Sequence, residues 1–142
     1  MELKDHHKAN LRKLADYLLS GKLVKEFDMW TYCKKTDTFG CTIVISEVQQ
    51  HECGTVGCAI GHGPAAGIKI PDGCYGWSKY AERMFGMDSS EYMEEAFTYM
   101  FASSWKWYDN TPEGAARRIL AFLDNNCVPP ANWREERGEL QA

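Results

Sequence analysis

The segment 109–126, DNTPEGAARRILAFLDNN, constrains the fold of this chain more than any other stretch. It predicts a helix that starts with Thr111 as the N-cap, because a threonine hydroxyl can accept from free backbone N–H groups. Pro112 suits the first helical position, and Glu113 favours the positive end of the helix dipole. Apolar residues then recur every three or four positions, so one face of this helix needs a core to cover it. The same spacing predicts helices in 6–20, 77–85 and 88–105.

A minor β element is predicted between the helices expected over 6–20 and 77–85. Residues 41–48, CTIVISEV, are rich in β-branched side chains, and the turn-prone stretch before them favours a hairpin with the preceding segment. A further small helix is predicted over 54–62, capped by Thr55. The pattern therefore predicts a mainly α fold (α+β with a minor β element), as a single compact domain of about five helices. We expect 1–142 to be a single globular domain, with 128–142 a partly ordered C-terminal tail.

Charge and hydropathy narrow the function classes. The formal net charge is −4, which disfavours nucleic acid as a partner because such binding needs a basic face. No apolar run approaches the ~20 residues of a membrane-spanning helix. The polar N-terminus lacks the apolar stretch of a signal peptide. We therefore expect a cytoplasmic protein without a membrane partner, in which the six cysteines are reduced.

The segment 51–64, HECGTVGCAIGHGP, concentrates side chains that can bind metals or react. One interpretation is a zinc site built from His51, Cys53, Cys58 and His62, although the spacing lacks the usual pair of cysteines two residues apart. A second is a catalytic thiol, Cys53, with His51 or His62 as its base and Asp28 or Asp109 to orient that base. A third is packing alone, in which the glycines allow a close crossing of two elements and the cysteines fill small spaces.

A fourth interpretation is an anion-binding cradle. Gly54 and Thr55 would lie at a helix start, where free N–H groups bind phosphate, and 109–114 offers a second polar helix start. Trp105 and Trp107 alternate with Lys106, so we expect one of the two indoles to be exposed, where it can form an interface hot spot. We assign no catalytic residue and no cofactor. Under the zinc-site interpretation, the alternative cofactor is zinc. The predicted ligand-binding site combines Cys53, Gly54, Thr55, His62, Trp77, Trp105, Asn110 and Thr111.

Three segments resemble a family of small phage and bacterial hypothetical proteins: FDM at 27–29, CGTVGCAIGHGPAAG at 53–67 and DNTPEGAARRI at 109–119. The family carries FDM, CGTxxCxxG and DNTPxGAA motifs and has no established activity. The resemblance implies a non-enzymatic, phage-type accessory protein, of the counter-defence kind. Such a protein binds a host protein or sequesters a phosphorylated, nucleotide-like small molecule in the host cytoplasm.

Other functions remain open beside this one. They are a cysteine- or zinc-dependent enzyme, or a small zinc-stabilised protein-binding domain. Homo-oligomerisation also stays open, since a surplus of aromatic residues often covers an interface.

Overall fold

The structure is a computed structural model, and it describes residues 3–23, 26–27, 29, 34–36, 42–44, 56–57, 59–74, 77–87 and 91–136. Within these residues the chain is mainly helical, which confirms the predicted fold class. The helices are α1 (Asp5–Leu19), α2 (Trp77–Phe85), α3 (Glu91–Phe101), α4 (Pro112–Asp124) and α5 (Trp133–Glu136). In the described connections, the segments Ile60–His62 and Ser103–Trp107 form short 3-10 helices.

The core forms mainly where α1 packs along α4, with α2 and α3 beside them. From α1, Leu11, Leu14 and Leu18 are fully buried, as the spacing of leucines predicts. From α4, Ile119 and Phe122 are fully buried. Burying each such side chain contributes on the order of 1.5–3 kcal/mol, so this helix pair supplies much of the stability that holds the rest in place.

The described residues also form a small sheet. Its strands are β1 (Glu26–Phe27), β2 (Lys34–Thr36), β3 (Thr42–Val44) and β4 (Val56–Gly57), in the order β1-β4-β2-β3. Strands β2 and β3 pair antiparallel, so a hairpin forms as predicted, but its first strand lies at 34–36, within the stretch that was predicted to be the turn. Strand β4 pairs parallel with β1 and antiparallel with β2.

Strand β4 corrects one prediction. The small helix expected over 54–62 does not begin after Thr55, because Val56 and Gly57 are in a strand and helical turns begin only at Ile60. Valine loses rotamer freedom in a helix and glycine is a poor helix former, so pairing with β1 and β2 prevails over a helical start. The helix N-terminus on which the anion cradle at Gly54 and Thr55 depended is therefore not formed there.

Candidate functional site

The three motif segments meet at residues 27–29. Strand β1 pairs Phe27 with Gly57 of the second motif segment. The Phe27 ring also stacks on the imidazole of His62, with ring centroids 5.6 Å apart. Two residues further on, the backbone N–H of Met29 donates to the Asn110 side-chain oxygen at 2.7 Å. The FDM segment thus joins the second motif to the third.

At this junction the described side chains act in packing. His62 is fully buried, and Asn110 uses its carbonyl oxygen to hold a backbone N–H from a segment 81 residues away. Gly63 lies so close to α2 that a Cβ there would overlap the hydroxyl of Tyr80. That hydroxyl donates to the backbone oxygen of Ile68. These contacts agree with the interpretation in which the glycines of this segment allow a close crossing.

The other predicted residues of this segment lie outside the described part of the chain. They are His51, Cys53, Gly54, Thr55 and Cys58. The side chain of Trp77, in another segment, is also outside the described part. The zinc and thiol interpretations therefore stay predictions. Among the residues that the structure describes, no group of three or more His, Cys, Asp or Glu side chains is arranged to hold a metal ion.

The start of α4 is closed by the chain's own side chains. Thr111 is the N-cap, as predicted, and its hydroxyl oxygen accepts from the backbone N–H of Gly114 at 3.0 Å. The same hydroxyl donates to Asp109 Oδ1 at 2.6 Å. The Asp109 carboxylate lies directly against Gly114, where an added Cβ would overlap it. The backbone N–H of Gly114, which a phosphate would need at this helix start, thus already donates to the chain's own threonine, and the Asp109 carboxylate occupies the space against that glycine.

Two adjacent arginines share that carboxylate. Asp109 Oδ2 lies 3.7 Å from Arg117 Nη2 and 3.8 Å from Arg118 Nη1. The Arg117 side chain is 68% exposed, whereas Arg118 as a residue is only 5% exposed. The guanidinium carbon of Arg118 lies 3.9 Å from the centroid of the Trp105 ring, in cation–π contact. The buried arginine is therefore held between an indole and a carboxylate.

Trp105 belongs to an aromatic cluster that we define as Tyr99, Trp105, Tyr108 and Trp133. The indoles of Trp105 and Trp133 stack with centroids 5.9 Å apart, and Tyr108 meets the edge of Trp105 at 6.3 Å. Tyr99 contacts Trp133 edge-on at 5.2 Å. This contact between α3 and α5 buries Trp133, which lies within the predicted tail.

Helix α5 is fixed further by Glu95 of α3. The Glu95 carboxylate accepts from Trp133 Nε1 at 2.9 Å and from both terminal nitrogens of Arg134, at 2.8 and 3.2 Å. The Arg134 hydrogen bonds are the main reason why the pKa of Glu95 is lowered, since they favour its charged form. The Arg134 guanidinium also lies over the Trp133 ring, at 4.4 Å from its centroid.

One indole of the alternating pair is exposed, as predicted. Trp105, which the predicted ligand site included, is 6% exposed, whereas Trp107, which that site left out, is 70% exposed. Tyr108 beside it is 43% exposed. We call Lys106, Trp107, Tyr108 and Arg117 the Trp107 surface. The alternation with Lys106 indicated such a surface in the sequence, but not which indole would form it.

Comparison with protein families, curated proteins and solved structures finds no match to this chain. In the described part of the chain, no helix has the length and apolar character needed to cross a membrane.

Proposed function

We propose that this protein is a non-enzymatic, phage-type accessory protein that binds a host protein through the Trp107 surface. The observation that carries the proposal is the 70% exposure of Trp107 next to Tyr108. Trp, Tyr and Arg are the residue types that most often dominate binding energy at protein interfaces. Here an exposed Trp and an exposed Tyr are adjacent in the chain, and the exposed Arg117 pairs with Asp109, two residues after Trp107.

The support beneath this surface is rigid. Trp105, two residues before Trp107, contacts the Arg118 guanidinium and also stacks on Trp133. Its indole N–H donates to the backbone oxygen of Thr98 at 3.1 Å. A binding side chain on such a base loses little conformational entropy when a partner arrives, and this loss is a main cost of association.

The same geometry favours a protein over a phosphorylated small molecule as the partner. Small-molecule sites enclose most of the ligand's surface, whereas Trp107 projects into solvent. The start of α4, which was the second half of the predicted cradle, faces the Asp109 carboxylate. A host protein as the partner follows from the resemblance of the three motif segments to phage proteins.

Site-specific photo-crosslinking in bacterial cells tests this proposal. A photoreactive phenylalanine analogue replaces Trp107 in one variant and Lys79, whose side chain is 66% exposed on α2, in a control variant. We expect one discrete adduct with a bacterial protein from position 107 and none from position 79. Substituting Arg117→Glu in the first variant should abolish that adduct. No adduct, or the same adducts from both positions, would contradict the proposal.

A further inference from the structure

A groove of about 370 Å³ lies against Trp133 of the aromatic cluster. Its lining runs along 128–135 and includes Glu95 of α3. One wall is apolar, formed by Val128, Pro129 and Pro130, and Val128 is 44% exposed. The groove has room for one indole side chain.

The groove and the Trp107 surface share the aromatic cluster as their common base. Trp133 lines the groove and stacks on Trp105, which precedes Trp107 by two residues. At 70% exposure, Trp107 does not fill the groove of its own chain. An exposed indole and an apolar groove therefore flank the same cluster on one molecule.

The charges around these two features are opposite in sign. Lys106 precedes the exposed indole in the chain, and two residues after it the single carboxylate of Asp109 is shared by two cations, Arg117 and Arg118, so this part of the chain is basic. At the groove, Arg134 is engaged by Glu95, while Glu135 and Glu136 are exposed beside it. A basic aromatic projection and an acidic apolar groove are complementary, and complementary charge fixes which surfaces meet.

We propose that two copies of this chain form a twofold dimer in which Trp107 of each copy enters the groove of the other. In a twofold interface the same surface is used by both partners, so a projection and a groove close together on one molecule satisfy each other twice. The inference rests on the proposed function in one respect: the dimer would cover the Trp107 surface, and a host protein would have to displace the second copy.

The mass in solution of the full chain, from light scattering or sedimentation equilibrium, tests the dimer. We expect the wild type to have twice the mass of one chain at micromolar concentration. Trp107→Ala should raise the dimer dissociation constant at least about 30-fold, which corresponds to the ~2 kcal/mol lower bound for a hot spot. Leu19→Ala, at a residue 47% exposed on α1, is the matched control and should leave the constant unchanged. Circular dichroism should show both variants folded, since both side chains are exposed.

A charge exchange gives a second, independent readout. In the proposed dimer, Arg117 of one copy faces Glu135 of the other. Arg117→Glu and Glu135→Arg should each weaken the dimer, and the double variant should restore it because the same two residues attract each other with their charges exchanged. A monomeric wild type, or a dimer that Trp107→Ala leaves intact, would overturn the inference. A monomer that still forms the host-protein adduct would leave the proposed function standing. A dimer sensitive to position 107 that forms no foreign adduct would support the inference and contradict the proposed function alone.

Discussion

Replacing Arg118 by alanine is predicted to destabilise the fold by about 3–4 kcal/mol, although arginine is rarely a core residue. The side chain is buried, its guanidinium lies 3.9 Å from the Trp105 ring centroid, and Asp109 is its ion-pair partner. Loss of two buried methylene groups costs about 1.6 kcal/mol, at about 0.8 kcal/mol each. Loss of a desolvated cation–π contact costs about 2 kcal/mol. Asp109 keeps Arg117 as a partner, so no orphaned charge adds to this cost.

Arg118→Met separates packing from charge. Methionine restores the apolar stem but not the guanidinium, so we expect this variant to lose only the cation–π contribution, about 2 kcal/mol. Arg117→Ala is the control, because this arginine meets the same carboxylate but its side chain is 68% exposed. An exposed ion pair contributes about 0.5 kcal/mol.

Urea unfolding followed by circular dichroism measures all three variants against the wild type. The expected order of destabilisation is Arg118→Ala, then Arg118→Met, then Arg117→Ala. If Arg117→Ala costs as much as Arg118→Ala, burial of the Arg118 side chain adds nothing to the stability of the fold. A loss under about 1 kcal/mol for Arg118→Ala would refute the assigned cation–π contact and stem packing together.

Three further predictions concern hydrogen bonds. Asn110→Ala removes the acceptor of the Met29 N–H and should cost about 1–3 kcal/mol in urea unfolding, while Asn110→Asp, which keeps an oxygen there, should recover most of it. Thr111→Ala should lower the free energy of unfolding by about 1 kcal/mol, because the α4 cap is lost, whereas Thr111→Ser keeps the hydroxyl and should lower it much less. Equal losses in the two variants would contradict the capping role. Because Arg134 lowers the pKa of Glu95 in the folded protein below its ordinary 4.5, ionised Glu95 stabilises the fold above that value. This contribution is lost as pH falls through the lowered pKa. The free energy of unfolding should therefore fall less steeply with acid pH in Glu95→Gln than in the wild type. The same dependence on pH in both proteins would contradict the role of ionised Glu95.

Local signals predicted α4 well. Its cap, its first-turn proline and its apolar spacing all lie within one segment, and the helix begins at Pro112 as they indicate. The spacing does not fix the exact face, because Leu120 and Leu123 follow the apolar repeat and are only partly buried, while Phe122 is fully buried. The fully buried face is set by the packing of α1 against α4, which the spacing within α4 does not contain.

Features that depend on distant partners were not predictable in the same way. Val56 and Gly57 form a strand because β1, about thirty residues earlier, pairs with them. Trp105 rather than Trp107 is buried because Trp133, on a later helix, stacks on it. From the sequence, an arginine such as Arg118 is expected on the surface. It is buried because its guanidinium packs on the Trp105 indole, a contact that the sequence does not indicate.

We propose Trp107 as the residue that contributes most to binding of a host protein. Calorimetry gives the dissociation constant between the purified protein and the host protein that position 107 captures. We predict that Trp107→Ala weakens binding at least about 30-fold and that Leu19→Ala leaves it unchanged. Equal affinities for the wild type and Trp107→Ala would show that Trp107 is not a binding hot spot.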